Sequence, residues 1–350
     1  MPLADIADAV WYGDTSAARL SRELLSPLSA VFNAIAARRN ARYDAASITP
    51  SPIPAVSIGN LTVGGTGKTP VSAWLAAQLQ ARGATPAIIM RGYGTDEVLV
   101  HALLNPGVRV FAGADRVAQV RAAATTGADC AILDDGFQHR RAARVADVVL
   151  VSADRWRDDV RLLPAGPFRE PLSSLRRASL VVVTVKAAEA ARVSACTHAL
   201  RSATAAPVVT VDLVPGALMP VHPDRMQSPH FAVGTGRVLA VSAIGDPAAF
   251  LRQLRQRGLD AAPLVFADHH AFDARDVQQI LAAAAAACIA VICTLKDAVK
   301  LGPIWPGTAL PLWYLPQSVV PRDGATALDA LVQQVLEARR NGPFASDLPR

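Results

Sequence analysis

Cysteine is scarce in this 350-residue chain: Cys130, Cys196, Cys288 and Cys293 are scattered and no two form a CxxC pair. A disulfide framework is thereby excluded and a thiolate metal site disfavoured, which leaves buried reduced thiols of a cytoplasmic protein as the simpler reading. Aromatic residues make up only 5% of the chain. No basic run is interleaved with stacking rings, so nucleic acid is not an expected partner. Long hydrophobic runs are also missing. The longest, Ile280 to Cys293, falls short of a membrane span and is mostly alanine, as expected of a helix end passing into a strand. Asp5, Asp8 and Asp14 break up the first residues, so a secretory leader is not expected. Charged residues are few, at 18%, with a net charge of +6 and arginine far outnumbering lysine. Such a balance suits acidic ligands: nucleotides, phosphates or anionic lipid heads. With 51% hydrophobic residues, the chain is long and apolar enough for one large or two moderate domains with cores of their own.

What is present centres on residues 53 to 69, IPAVSIGNLTVGGTGKT. An apolar strand-like run leads into a glycine-rich turn, and a helical period follows through Val71, Trp74, Leu75 and Leu79 to Gly83. A turn in that position lets backbone N–H groups converge on an anion at the positive end of a helix. Thr62, Val63, Gly64, Gly65, Thr66, Gly67, Lys68 and Thr69 are therefore the expected nucleotide cradle, although Thr62 stands where GxxxxGK[ST] has glycine. Lys68 is expected to reach the outer phosphates, and the Thr69 hydroxyl a magnesium ion.

Before this loop, residues 1–50 form a separate helical segment. Leu24, Leu25, Leu28, Val31, Phe32 and Ile35 recur at helical spacing, with Pro27 placed in the first turn and Arg38, Arg39 and Arg42 at the end. Such a helix suits either an anionic membrane surface or packing on its own domain. After the loop, strand-like runs alternate with helical stretches at 87–90, 130–133, 148–151, 181–185 and 208–211. This alternation predicts an α/β fold with a mostly parallel sheet, helices on both faces, and a phosphate-loop domain over 51–214. A proline- and glycine-rich stretch, 215–236, reads as a linker. A smaller α/β domain is expected over 237–340, with strands near 238–242, 264–266, 290–293 and 312–315, a closing helix at about 327–339, and a disordered tail at 341–350.

Several further residues suit phosphate chemistry. Ala131 to His139, AILDDGFQH, ends an apolar strand in two aspartates, where phosphate-loop folds place a magnesium-organising carboxylate. Asp135 is expected in that role with Asp134 as its neighbour. Asp96 and Glu97 follow RGYG just beyond the next strand. Arg169 lies in the proline-bounded loop LLPAGPFREP, a rigid setting for a cation that meets phosphate. Asp268, His269 and His270 end a strand of the second half, where an imidazole can accept a proton.

Read in order, GNLTVGGTGKTP, RGYG, AGADR, LDDGFQH, LLPAGPFREP, ADHHAF and TLKDAVKL resemble the tetraacyldisaccharide 4'-kinase family, from about Trp11 to Leu315. The resemblance implies a kinase that uses ATP and Mg2+ to phosphorylate the 4'-hydroxyl of a tetraacylated glucosamine disaccharide 1-phosphate, the lipid A precursor. It implies a peripheral protein on the cytoplasmic face of the inner membrane, with the N-terminal helix as surface anchor and no obligate protein partner. It makes Asp96 and His269 a proton-accepting pair, which can meet only if the two halves face each other across a cleft. It directs Glu97, Arg116, Asp134, His139 and Arg169 toward substrate or phosphate, and Glu170, with Thr69 and Asp135, toward magnesium. The rival reading is a membrane-recruited ATPase switch of the partition-factor type. Those proteins carry a lysine before the two glycines, where this chain has Val63.

Overall fold

The computed structural model describes residues 3–92, 96–225, 236–244, 247–267, 270–285 and 288–341. In chain order, α1 (Leu3–Tyr12) and α2 (Ser16–Ala45) precede β1 (Ala55–Asn60), α3 (Lys68–Ala81), β2 (Pro86–Met90), α4 (Asp96–Leu104), β3 (Arg109–Ala112), α5 (Arg116–Thr125) and β4 (Cys130–Asp134). Next come β5 (Ala146–Ser152), β6 (Leu180–Val185), α6 (Ala190–Ala203), β7 (Val208–Pro215), β8 (Met219–Pro220), β9 (Arg237–Ser242), α7 (Pro247–Gln256) and β10 (Ala261–Val265). The chain closes with α8 (Ala274–Ala284), β11 (Cys288–Thr294), α9 (Leu295–Leu301), β12 (Leu312–Leu315), β13 (Gln317–Asp323) and α10 (Ala325–Arg340).

These elements form two compact units. One gathers the chain up to Gly92, Gly107–Leu213 and everything from Val319 onward; the other holds Tyr93–Pro106 and Val214–Ser318. In the first, an eight-stranded sheet runs β13-β7-β6-β5-β1-β4-β2-β3. β1 lies between β5 and β4 and pairs in parallel with both, with Ile58 opposite Asp134. All six residues of β1 are buried, as expected of a central strand covered on both faces. Three apolar clusters pack on the sheet, one of them joining Ala55, Ile89 and Leu133 to Val120 and Ala123 of α5. A second joins Val56, Ile58, Leu75 and Leu79 to Val332 and Val335 of α10; the third joins Phe137, Val149, Val151 and Leu175 to Cys196 and Leu200.

The second unit has a five-stranded sheet, β10-β9-β11-β12-β8, parallel except for β8. Its core is built on Leu239, Val241, Ile280, Val291 and Leu301, with Leu103 of α4 packed against it.

The expected domain boundaries change at three places. α4, assigned to the phosphate-loop domain, belongs to the second unit, because Leu103 packs there and its carbonyl accepts from the Tyr314 hydroxyl at 3.4 Å. α10, assigned to the second domain, returns to the first sheet, where Leu328, Leu331, Val332, Val335 and Leu336 are buried. The stretch read as a linker supplies β8, an edge strand of the second sheet.

Helix α2 also differs from its expected form. It starts at Ser16, capped by the Thr15 hydroxyl, which accepts from the Ala18 amide at 3.1 Å, so Pro27 lies in the interior rather than the first turn. Packing offsets the hydrogen bond that proline removes. Ser29, two residues on, donates to the Leu162 carbonyl at 2.8 Å and accepts from the Ala165 amide at 3.1 Å.

Candidate active site

The phosphate loop is shaped from below. Asn60 ends β1 and donates through Nδ2 to the Thr66 hydroxyl at 2.9 Å, while Thr184 of β6 donates to the Thr66 carbonyl at 3.0 Å. Thr66 is thus turned inward, and it is the one buried residue of the turn from Thr62 to Thr69. Thr62 bridges Phe168, and the Val63 amide donates to Pro167 at 2.8 Å, so the first half of the loop is laced to the segment LLPAGPFREP. Gly67 caps α3 at φ +83, a left-handed conformation that disfavours side chains, and it supplies no side-chain cap. The first N–H groups of α3 remain available for an anion, and a Cβ added at Gly65 would meet nothing within 4 Å. An open, donor-lined turn at a helix N-terminus fits a polyphosphate.

Strand pairing brings the acidic end of β4 to the same sheet edge. The strand stops at Asp134, and Asp135 turns into the left-handed region at φ 53. Asp134 is buried and its Oδ1 accepts from the Asp135 amide at 3.0 Å, which fixes the turn. The Asp135 carboxylate faces Lys68 Nζ at 3.6 Å and Arg169 Nη2 at 3.3 Å. Burial raises its pKa, but Lys68 and Arg169 outweigh burial and hold it below the usual carboxylate range. Arg169 also donates to Asn60 Oδ1. Lys68, Asp135 and Arg169 therefore converge around the loop, as do the backbone positions of Thr62 to Thr69.

Magnesium is usually held by one or two carboxylates and substrate phosphates rather than by an all-protein cage. Among the described residues no group of three or more His, Cys, Asp or Glu side chains forms a metal cage. Thr69 and Asp135 fit the former arrangement, with phosphate oxygens completing it. Glu170, assigned above to the metal, is engaged elsewhere. Its side chain is 0% exposed; Oε2 accepts from Arg177 at 2.8 Å and Asn40 at 2.9 Å, and Arg39 lies 3.7 Å from Oε1. Burial pushes its pKa up, but the charge of Arg177 and hydrogen bonds from Asn40, Arg177 and Ser174 together outweigh burial and leave it below the ordinary value. A carboxylate enclosed by cations and an amide ties α2 to this loop.

His139 and Arg116 lie together beyond the loop. Burial first, then the charges of Arg116 and Arg144, depresses the His139 pKa to about 4. The imidazole is neutral near neutral pH and suits donation or acceptance of a hydrogen bond rather than charge pairing. Arg116 is buried and donates to the Gly113 carbonyl at 3.1 Å. Glu97 lies on exposed surface of α4, in the second unit. The side chain of Asp96 and the whole of Asp268 and His269 lie outside the described residues. The neighbouring His270 pairs through Nε2 with Asp276 Oδ2 at 2.8 Å, and its carbonyl accepts from Lys300 at 3.1 Å. Because α4 belongs to the second unit, the cleft between halves required above for Asp96 to meet His269 is not a requirement.

Sequence reasoning missed Asn60, which braces Thr66 and receives Arg169. A polar residue at the last position of a buried strand, just before a glycine turn, was the available signal.

A parallel sheet with a glycine loop after its central strand and a lysine–carboxylate pair at the same edge defines a phosphate-loop nucleotide-binding protein. The tetraacyldisaccharide-1-P 4'-kinase family profile matches residues 21–103 and 95–337. The chain is 37% identical over 333 residues to the tetraacyldisaccharide 4'-kinase of Anaeromyxobacter sp. (strain Fw109-5), covering 85% of this chain and 88% of that one. It is 36% identical over 341 residues to that of Halorhodospira halophila, covering 91% and 95%. A crystal structure of LpxK from Aquifex aeolicus in complex with ATP superposes with a TM-score of 0.71 at 26% identity, covering 91% of this chain and 99% of that chain. The chain belongs to the tetraacyldisaccharide 4'-kinase family.

Proposed function

We propose that this protein transfers the γ-phosphate of ATP to the 4'-hydroxyl of a tetraacylated glucosamine disaccharide 1-phosphate, with Mg2+ held between Thr69, Asp135 and the phosphates. The observation that carries the reading is the convergence of Lys68, Arg169 and Asp135 on a phosphate loop, in a chain that belongs to this kinase family. Phosphoryl transfer depends on positioning and on stabilising charge at the transferring group. Lys68 supplies that charge at the outer phosphates. Arg169 adds a second cation whose aim is set by Asn60 and by the bond from its own amide to the Leu61 carbonyl. Magnesium, when bound, neutralises charge between the β- and γ-phosphates. Asp96 and His269 act as one acceptor for the proton of the sugar hydroxyl, a carboxylate fixing the tautomer of an imidazole.

The cytoplasmic face of the inner membrane is the proposed working place. Helix α2 buries Ala18, Arg22, Ser29 and Ala36 against its own unit and turns Leu20, Leu24, Leu28, Val31 and Ile35 to the outside, with Leu24 71% exposed. Steps of four, four, three and four residues make one apolar stripe along a 30-residue helix. Such a stripe, ending near Arg38, Arg39 and Arg42, fits the boundary of an anionic bilayer. No helix among the described residues is long and apolar enough to cross a membrane.

Incubation with ATP labelled at the γ-position and the tetraacyldisaccharide 1-phosphate should place label on the lipid. Release of free phosphate alone, stimulated by vesicles, would support the ATPase-switch reading instead. Val63, at the position where those switches carry lysine, opposes that outcome.

A further inference from the structure

A cation outside the residues discussed so far stands on the other side of the loop. Arg155 follows β5, the neighbour of β1 opposite to β4. A Cβ built at Gly64, the exposed bend of the loop at φ +108, would lie 3.2 Å from Arg155 Nη1. The guanidinium is held from behind by helix α1. Asp8 accepts from Nη1 at 3.3 Å and from Nη2 at 3.0 Å, and the Tyr12 ring lies 5.0 Å below Cζ. Helix α1 is itself anchored to the same segment. Trp11 Nε1 donates to the Pro164 carbonyl at 2.9 Å, and Arg157 donates to the Tyr12 carbonyl at 3.1 Å.

We infer that Arg155 contacts the terminal phosphate of the nucleotide bound in this loop, and that Asp8 and Tyr12 of α1 are positioning residues that hold it there. An Nη nitrogen carries two hydrogens, so the bond from Nη1 to Asp8 leaves a second donor on the atom nearest Gly64. A planar, permanently charged fork suits phosphate oxygens, and a fork fixed in advance loses little entropy when phosphate arrives. Lys68 and Arg169 approach from the β4 side and Arg155 from the β5 side. Charge developing on the transferred group then meets cations on two sides. Glycine at position 64 follows from the same arrangement: a side chain there would be strained at that φ and would crowd Nη1.

The inference rests on the kinase reading only in placing a nucleotide in the loop, so binding tests it apart from lipid phosphorylation. ATP and ADP affinities are measured by calorimetry, with kcat, for wild type, Arg155→Ala, Arg155→Lys and Asp8→Asn, each checked for folding by its thermal transition. Arg155→Ala should lower the ratio of ATP to ADP affinity and reduce kcat by about tenfold or more. Arg155→Lys, which keeps charge and loses the fork, should fall between, and Asp8→Asn should shift the ratio in the same direction by a smaller factor. An unchanged ratio in folded Arg155→Ala, or equal loss for ATP and ADP, overturns the inference. If wild type binds ATP but labels no lipid while the ratio still drops in Arg155→Ala, the lipid reading fails and this one stands.

Discussion

The two sheets end in edges of different chemistry. At the edge of the first, charges are fixed: Lys68, Arg169 and Asp135 pair with one another, and cations hold the carboxylate ionised. The second unit holds a paired imidazole and a buried carboxylate. His270 pairs with Asp276 at 2.8 Å among Phe266 and Phe272, and Asp297, 0% exposed, has its pKa raised by burial despite bonds from Thr294 and the Ala243 amide. Fixed charge is what stabilises a transferring phosphoryl group, and the first unit carries it beside its glycine turn. The first laces its glycine turn to LLPAGPFREP; in the second, Lys300 of helix α9 donates to the carbonyl of His270.

The sharpest break of this comparison is Lys68→Ala, which should reduce turnover roughly a hundredfold or more with the fold intact, because it removes fixed charge from the outer phosphates. Turnover at the wild-type rate in a steady-state assay would remove the first edge from the mechanism. On the proton side, Asp96→Ala and His269→Ala should each lower kcat by about tenfold to a hundredfold while leaving ATP affinity nearly unchanged. The double variant should be little worse than either single one, since members of a catalytic unit are not additive. Fully multiplicative losses would show that the two act separately.

A smaller effect concerns where the enzyme works rather than how. Leu24→Glu with Val31→Glu should weaken partitioning onto vesicles containing phosphatidylglycerol by roughly tenfold or more, since each apolar side chain contributes about 1.5–3 kcal/mol when buried. ATP binding should be unaffected, and equal partitioning of both proteins would reject the anchor. Point substitutions are preferable to deleting α2, because deletion also strips Asn40 and Arg39 from buried Glu170.

The smallest effect is a slope. The His139 pKa is about 4 in the fold against an ordinary 6.5, so between these values the unfolded chain binds a proton that the native state does not. Stability from this group is fully present above pH 6.5 and is lost as pH falls toward 4. His139→Gln should flatten that part of the curve of denaturation midpoint against pH. An unaltered curve would show that His139 titrates normally.

Much of the first unit is written locally. A buried strand, a glycine turn and a helical period are neighbours in the chain, so β1, the loop and α3 could be read together, as could the aspartates that end β4. The same holds for most strands of both sheets, whose apolar runs need no partner to be recognised. The short strands β3, β8 and β13 were not legible, because four, two and seven residues with mostly exposed or mixed faces give no clear period. Asp135 shows the limit within a motif. The aspartate pair was visible, but which one faces Lys68 depends on the strand ending at Asp134 and the chain turning to positive φ.

By itself, then, the sequence determined the central strand, the phosphate loop and the apolar stripe of α2, because each depends on residues within a few turns of one another. Only the tertiary structure decided what distant segments do with their charges and faces. It gave Glu170 to Arg177 and Asn40, put α4 in the second unit through Leu103, returned α10 to the first sheet, and set Arg155 between Asp8 and Gly64. The stripe shows the division most clearly. Its spacing is a property of the helix, but the bonds of Ser29 to Leu162 and Ala165 decide that the polar face turns inward and the leucines out. Those partners lie more than a hundred residues away in the chain, where no local pattern reaches.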